Sequence, residues 1–511
     1  MANMEAPVRN PPETPWMTLA IVTVMVGIAA GLGGMTLGLL LRLVQHVAYG
    51  YSMHAIISRE SFLQGVSASS PVRRFVVLSV CGVLAGAGWW ALYRFGSSLV
   101  SISKAVGAKG PRMPFLTTIA HDLLQIVTVA LGSPLGREVA PRELGAVLAT
   151  WLSSRAALTP ESSRIMIACG AGAGLAAVYN VPLAGALFIL EVLLGTFSLS
   201  ALVPAITTSV IAALVAWIGL GNQTLYSLPP LAISPSLVVW SIVTGPLFGF
   251  TAYWFVRATR AARAHAPRDW HLPLWCVAVF PLLGLLSIPF PQLLGNGRSL
   301  TQVGFESDVG LVLAATLLVL RLIVTIGALR AGAEGGLLTP GLTIAALLAT
   351  VVGGLWNLAG PVVPLGAFAV VGGAAFLASS MKMPLTAIAL IIEFTRVSHD
   401  FLIPISFAVA GSISVYYLCS LRKVQISRKP EDRKIPGSPP AGIEVQPVYS
   451  RGNSLSQHYR THPSDLSQAR QSCPRKANDS GRTTSDAAGE GDGIQQCWAL
   501  SILRKNQSIQ S

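Results

Sequence analysis

The sequence predicts an all-α polytopic membrane protein made of two similar halves with broken helices. Of its 511 residues, 52% are hydrophobic and only 11% are charged, whereas soluble domains carry about 25% charged residues. The apolar runs are long and continuous, which favours spanning helices over the alternating strands of a transmembrane β-barrel. Glycine-rich stretches interrupt these runs and recur in the same order in both halves, as in many transporters.

The segments follow from composition, taken in order. Residues 1–15 are polar and proline-rich and are predicted to be a disordered cytoplasmic N-terminus. Two membrane repeats follow, at 16–220 and 221–421. From residue 422 the chain becomes rich in Ser, Arg, Gln and Pro, which predicts a disordered cytoplasmic tail over 422–511. The predicted apolar helices are 17–44, 75–93, 119–131, 144–158, 165–179, 183–197, 199–220, 238–256, 272–294, 309–329, 342–358, 365–379, 385–394 and 401–421.

The net charge of +14 indicates membrane topology and contact with lipid headgroups rather than nucleic-acid binding. The basic run 257–269 is predicted to be a cytoplasmic loop by the positive-inside rule. Six scattered cysteines lack the spacing of disulfide or metal motifs, so neither a metal site nor a cofactor is expected. No hydrolase, metalloprotease or nucleotide-binding motif is present, which argues against an enzyme.

The stretch 132–145, GSPLGREVAPRELG, is the first break. It contains Arg137, Glu138, Arg142 and Glu143 between apolar segments, although a charge at membrane depth costs roughly 2.5–3.5 kcal/mol on insertion scales. Broken backbone is tolerated there only where it is buried in protein or lines a water-filled cavity. A helix that begins at the break directs its N–H groups and positive dipole end into that cavity. The stretch therefore predicts an anion site that contains an ionisable carboxylate, with a salt bridge from Glu138 to Arg137 or Arg142 as the alternative.

An internal repeat links this break to the second half. Pro182 is followed nine residues later by Glu191, and Pro384 is followed nine residues later by Glu393. Upstream, GREVAP at 136–141 corresponds to GGLLTP at 335–340. Both breaks should meet at one place, because repeat transporters form their site at the repeat interface. The two later glutamates are predicted to brace helix packing rather than to conduct ions. Shared packing texture of apolar helices is the alternative explanation, but the matching order of these features favours a true repeat.

These motifs resemble those of the CLC family of chloride channels and chloride/proton exchangers over about residues 17–421. GREVAP is similar to the family's GREGP motif, GGLLTP to its GxFxP motif, and residues 96–98 stand where the family has GSGIP. GLAAVYNVPLAGALFILE resembles the helix pair that follows. The resemblance implies a CLC-like inverted-repeat helical bundle with partly spanning helices, a homodimer, and one anion pathway in each subunit of a multi-pass protein, expected in a bacterial plasma membrane.

The resemblance also implies roles for individual residues. Glu138 corresponds to the gating glutamate, which occupies an anion site when ionised and leaves when protonated or displaced. Ser97 corresponds to the serine that donates its hydroxyl to the central anion, with a helix N-cap as its alternative role. The backbone N–H groups expected to hold the anion lie at Arg137, Val139, Gly336, Leu337 and Leu338.

Departures from the family motifs guide the functional hypothesis. Val192 occupies the position of the exchangers' inner proton glutamate, which favours passive chloride conduction; a chloride/proton antiporter or a fluoride-selective variant remains the alternative. The family's late pore tyrosine has no clear counterpart, and no paired nucleotide-binding module is expected. His121 and Asp122 are interpreted as a buried structural pair rather than a proton relay. Arg321 and Arg330 are expected to anchor their helix by snorkelling. Chloride and membrane lipid are thus the expected partners.

Overall fold

The computed structural model describes residues 14–50, 61–107, 112–306 and 310–427. Within these ranges all regular structure is helical, apart from one isolated bridge between two glycines. Eight helices are long and apolar enough to cross a membrane, which agrees with an integral multi-pass protein. Most of the predicted terminal segments 1–15 and 422–511 lies outside the described residues.

The described residues of the first half form ten helical segments, from the long α1 to α9. Proline at the first helical position sets φ for several of them, including α3, α7 and α8. The segments are α1 Trp16–Tyr49, α2 Phe62–Ala68, α3 Pro71–Phe95, α4 Ile102–Ala105, α5 Phe115–Ala130, α6 Val139–Arg155, α7 Pro160–Tyr179, α8 Pro182–Phe188 with a π-helical continuation Ile189–Leu194, and α9 Leu199–Leu220.

The second half repeats this alternation of long and short helices. Its segments are α10 Pro235–Ala264, α11 His271–Leu286, a 3₁₀ turn Pro291–Leu293, α12 Arg298–Phe305, α13 Leu311–Arg330, α14 Leu338–Asn357, α15 Leu365–Ser380, α16 Pro384–Thr395, a 3₁₀ turn His399–Phe401, and α17 Leu402–Ser427.

Several predicted boundaries were wrong, because hydropathy alone marks the apolar part of a helix and misses its polar ends. The basic run 257–269 is helical as far as Ala264, so most of it belongs to α10 and not to a loop. The polar break 295–308 contains the short helix α12. The last helix, α17, continues six residues beyond the predicted end of the second repeat.

Glu191 and Glu393 each cap a helix in the opposite half. The Glu393 carboxylate accepts hydrogen bonds from the backbone N–H groups of Leu183 (2.9 Å) and Ala184 (2.7 Å), in the first turn of α8. In return, the Glu191 carboxylate accepts from the N–H groups of Leu385 and Thr386 at the start of α16. Both carboxylates therefore satisfy helix N-termini that begin with proline, which is the bracing role predicted for them.

Replacing Glu393 with alanine is expected to lower the free energy of unfolding by about 2–3 kcal/mol, because hydrogen bonds to charged groups contribute roughly 1.5–3 kcal/mol each. Thermal unfolding of the detergent-purified protein measures the change. Glu161→Ala is the control, since Glu161 is exposed and only pairs with Arg164 at 3.7 Å. An unchanged unfolding temperature for Glu393→Ala would contradict the bracing role.

Arg321 joins the two halves from within and does not snorkel as expected. Its side chain is fully buried, and its guanidinium donates to the carbonyl oxygens of Leu293 and Gly295 and of Pro134 at about 3 Å. The carbonyl groups of an irregular backbone need donors in an apolar environment. Arg321 supplies them on both sides, and so it fixes the stretch that leads to Gly136. Arg330 stacks on the ring of Trp275.

Candidate anion site

The two glycine-rich breaks meet in an antiparallel pair. The Gly136 N–H donates to the Gly336 carbonyl and the Gly336 N–H donates to the Gly136 carbonyl, both at 2.8 Å. A Cβ atom at Gly136 or at Gly336 would overlap the Glu138 carboxylate, so the close approach of backbone and side chain requires glycine at both positions. The pairing places the start of α6 next to the start of α14.

Glu138 is fully buried at the N-cap position of α6, and its carboxylate reaches across to the start of α14. Oε1 accepts a hydrogen bond from the Leu338 N–H at 2.6 Å. Oε2 accepts from the Thr339 hydroxyl at 3.2 Å and from the Tyr179 hydroxyl at 3.4 Å. The two hydroxyl oxygens also lie 3.1 Å apart, so either hydroxyl can donate to the other instead of to the carboxylate. One backbone and two side-chain donors, from α7 and α14, therefore converge on the carboxylate.

The electrostatics of this point favour negative charge. Leu338 is the first residue of the 20-residue helix α14, and its N–H belongs to the first turn, which has no carbonyl partner within the helix. The aligned peptide dipoles of such a helix place roughly half a positive elementary charge at its N-terminus. The donors and the dipole act on a carboxylate and on a small inorganic anion in the same way.

The alternative of a salt bridge between Glu138 and a neighbouring arginine is wrong for the described structure. The guanidinium of Arg137 lies over the Tyr179 ring, 5.2 Å from its centroid, and that of Arg142 lies over the Phe188 ring at 4.3 Å. Among the described residues no ion pair joins either arginine to Glu138. Both guanidinium groups are engaged in cation–π contacts with these rings, so the Glu138 carboxylate interacts with its hydrogen-bond donors instead.

The structure places the other predicted site residues unevenly. Val139 is the half-buried first residue of α6, and Leu337 is the N-cap of α14. The Gly336 N–H is engaged by Gly136, which corrects its expected role as an anion donor. The Ala140 N–H, next to Val139, is likewise engaged by the side-chain oxygen of Gln125 at 2.8 Å. The backbone donors for an anion are therefore fewer than predicted.

Ser97 is not joined to this cluster by any hydrogen bond among the described residues. It is exposed, and its backbone N–H donates to the Thr117 hydroxyl at 3.2 Å. It is not a helix N-cap either, because Ser101 caps α4 through the Lys104 N–H. An anion-binding role for Ser97 remains a prediction.

Tyr179 and Thr339 were missed by sequence reasoning, although both lie inside the motifs that it singled out. Tyr179 is the last residue of α7, directly before Asn180 in left-handed conformation, and Thr339 follows Leu338 in GGLLTP. Their hydroxyl groups, placed within these motifs, could have identified them as candidate hydrogen-bond donors to the carboxylate or an anion. The His121, Asp122 and Glu143 side chains form a separate group, considered below.

Comparison with known proteins fits this geometry. The sequence profile described as "Voltage gated chloride channel" matches residues 81–416. The chain belongs to this family, the CLC family. It is 31% identical over 358 residues to a "Voltage-gated ClC-type chloride channel ClcB" of Citrobacter koseri, a match that covers 66% of this chain and 82% of the relative. A protein of the same name from Escherichia coli O17:K52:H18 is 30% identical with the same coverage.

Solved CLC structures share the fold of this CLC protein. A slow cyanobacterial Cl⁻/H⁺ antiporter superposes with a TM-score of 0.68 at 21% identity, over 81% of this chain and 99% of that one. A CLC-type fluoride/proton antiporter superposes with a TM-score of 0.57 at 21% identity, over 80% of this chain and 99% of that one. The likeness at this level of identity concerns the helical fold.

Proposed function

We propose that this CLC protein carries chloride across the membrane along a path that Glu138 gates. The observation that carries the proposal is the position of the Glu138 carboxylate, whose binding site we call its seat. It lies at the N-terminus of α14 and takes three donors, from Leu338, Thr339 and Tyr179. A chloride ion uses the same donors, so ion and carboxylate exclude each other there. Family membership and the names of the curated relatives support chloride as the ion.

Gating follows from competition for this seat. When Glu138 is ionised, it satisfies the donors itself and blocks the path. When a proton neutralises it, the attraction to the helix N-terminus is lost, and the side chain leaves the donors to chloride. Raised chloride concentration acts in the same direction by displacing the carboxylate. The flux should therefore rise with acidity and with chloride concentration.

Conduction is proposed to be passive. Val192 offers no carboxyl group at the position where the exchangers have their inner proton glutamate. The neighbouring Glu191 is committed to the N–H groups of Leu385 and Thr386 and to the Thr386 hydroxyl. The curated relatives are named as channels, which supports this choice. The second candidate is chloride/proton or fluoride/proton antiport, favoured by the names of the solved neighbours.

The reversal potential of proteoliposomes containing the purified protein separates these candidates. With a chloride gradient and no pH gradient, a chloride-selective channel reverses at the chloride Nernst potential, whereas an antiporter reverses at a smaller potential because each cycle also moves protons. If the protein is a channel, imposing a pH gradient leaves the reversal potential unchanged. A reversal potential that shifts with the pH gradient would show that the protein is an antiporter and not a channel. Repeating the measurement with fluoride in place of chloride tests the fluoride-selective variant.

Removing the Tyr179 hydroxyl should raise chloride flux at neutral pH by a few-fold. Tyr179→Phe keeps the ring under Arg137 but removes one donor from Oε2. Chloride loses the same donor, but at neutral pH the departure of the carboxylate, and not chloride binding, is proposed to limit the flux. A typical hydrogen bond contributes a net free energy of about 0.5–1.5 kcal/mol, and a bond of 3.4 Å lies at the weak end of that range. Since about 1.4 kcal/mol changes an equilibrium constant tenfold, the expected change is a few-fold. Initial chloride efflux from vesicles measures the change.

Tyr226→Phe is the matched control for this variant. Tyr226 also packs edge-on against Phe394, as Tyr179 does, but its hydroxyl makes no hydrogen bond among the described residues. Its loss should leave the flux unchanged. Equal effects of the two variants would show that ring packing, and not the bond to Glu138, sets the flux.

We further propose a homodimer in a bacterial plasma membrane, with one path in each subunit. The family resemblance supports the dimer, and the bacterial origin of the similar relatives supports the location. Chemical cross-linking in native membranes tests the homodimer.

A further inference from the structure

Three potential metal ligands meet between α5 and α6, away from the Glu138 donors. The Nδ1 atom of His121 lies 3.1 Å from Oε2 of Glu143 and 3.9 Å from Oδ1 of Asp122. One ligand atom from each residue lies within 4.8 Å of the other two. We call this group the α5–α6 cluster. The predicted buried pair of His121 and Asp122 is present as an ion pair, and α5–α6 packing adds Glu143, which lies closer to His121 than Asp122 does.

The burial of the Asp122 carboxylate is not explained by helix packing alone. Its side chain is only 1% exposed, and neither carboxylate oxygen has a partner at hydrogen-bond distance among the described residues; its ion pair with His121, at 3.9 Å, is long. A buried carboxylate without donors is costly unless it is neutralised by a proton or by a cation. Its nearest charged neighbour is His121, whose Nδ1 is already taken by Glu143. The cluster thus has two carboxylates for one imidazole, a deficit of positive charge at its centre.

We propose that the α5–α6 cluster binds a divalent transition-metal ion of the zinc class. One neutral imidazole nitrogen and two carboxylate oxygens balance the charge of such an ion, and all three are common zinc ligands. Bonds of about 2.0–2.2 Å in tetrahedral geometry place ligand atoms roughly 3.3–3.6 Å apart. The separations of 3.1 and 3.9 Å lie on either side of this range and the third pair of ligand atoms lies within 4.8 Å, so metal binding requires side-chain rotations that draw the three ligands together.

The surroundings leave one side of the cluster accessible. Asp122 lies beside a mostly apolar cavity of about 420 Å³ between α1, α5 and α6. Glu143 keeps 17% of its side chain exposed, which opens the cluster on that side. This site was not predictable from the sequence, since Glu143 stands 22 residues from His121 and only helix packing brings them together.

The site has a consequence for gating that rests on the proposed function. Glu138 is the N-cap of α6, and Glu143 lies little more than one turn further along the same helix. A metal ion bridging Glu143 to His121 and Asp122 ties the start of α6 to α5. Bound metal should therefore slow the departure of Glu138 and reduce chloride flux.

Zinc titration of the metal-stripped, detergent-purified full chain tests the site without any transport assay. Isothermal titration calorimetry should show one Zn²⁺ ion per chain, and Co²⁺ should give the visible absorption of a tetrahedral complex. His121→Ala and Glu143→Gln should each weaken binding at least tenfold, because even second-shell changes cost about 10–100-fold. His271→Ala is the matched control: His271 also pairs with a carboxylate, Asp269, at 2.7 Å, but is exposed and belongs to no three-ligand group among the described residues.

Absence of stoichiometric Zn²⁺ binding, or equal binding by wild type and His121→Ala, overturns the proposal and leaves a His121–Glu143 ion pair beside a neutral Asp122. Size-exclusion profiles show whether the variants fold, and the Co²⁺ spectrum of the wild type decides the question if they do not. In vesicles, Zn²⁺ should reduce chloride flux of the wild type more than that of His121→Ala. A chain that binds Zn²⁺ but carries no chloride would contradict the proposed function and leave the metal site intact.

Discussion

Replacing Glu138 with glutamine or alanine is expected to give a chloride flux that is high at neutral pH and no longer rises on acidification. Either substitution removes the charge that competes with chloride at the Leu338 N–H. The donors from Thr339 and Tyr179 are then left to the anion or to water. In the wild type, only protonation or displacement empties this seat, so its flux depends on pH and on chloride.

Chloride efflux from vesicles, recorded across a pH series, measures this difference. Glu161→Gln is the control, because Glu161 is an exposed carboxylate at the start of α7 and should not alter the pH profile. A Glu138→Ala flux that still climbs steeply with acidity would assign the pH dependence to another group. Alanine should open the path at least as far as glutamine, since the amide of glutamine still accepts hydrogen bonds from the donors.

Replacing Gly174 with alanine is expected to cause a large loss of stability, at the upper end of the roughly 1–3 kcal/mol typical of overpacking or beyond it. Gly174 lies where α7 crosses the first turn of α6, and a Cβ there would overlap the Pro141 carbonyl oxygen. Backbone cannot rotate away as the end of a flexible side chain can. A second contact of this kind, between Gly145 and Gly170, holds the same helix pair together.

Thermal unfolding and the monodisperse yield of the purified protein measure this loss. Gly304→Ala is the matched control, because Gly304 is also helical but its added Cβ meets only Ala346 and Thr350 side-chain atoms at 3.8 Å. The control should be neutral or mildly stabilising, as alanine favours helix more than glycine does. Equal stability of the two variants would show that α6 and α7 separate easily. Residual Gly174→Ala protein should also gate abnormally, since Pro141 follows Glu138 by three residues.

Much of the fold was predictable because its signals are local. Long apolar runs marked the spanning helices, and glycine and proline marked the breaks on either side of Glu138. The nine-residue spacing from proline to Glu191 and to Glu393 marked the repeat. That both glutamates brace helices followed from their matched positions in it, and their reciprocal contacts with α16 and α8 confirm the bracing.

The site was less predictable, because each of its donors has several possible partners. Nothing local shows that the Gly336 N–H bonds Gly136 while the Leu338 N–H bonds Glu138. The exposed position of Ser97 likewise depends on how the segment after α3 packs. Arg321 illustrates the same limit, since an arginine within an apolar helix can reach the lipid headgroups or irregular backbone, and only packing selects the second.

The sequence by itself determined that this is a two-repeat helical membrane protein whose breaks bear charge at membrane depth, since hydropathy and backbone-breaking residues act over one or two helical turns. The tertiary structure alone decided which donors surround Glu138, which rings hold Arg137 and Arg142, and which three side chains form the α5–α6 cluster. The decisive contacts at Glu138 join residues about 200 positions apart. Their selection depends on how whole helices pack, and no local pattern records it.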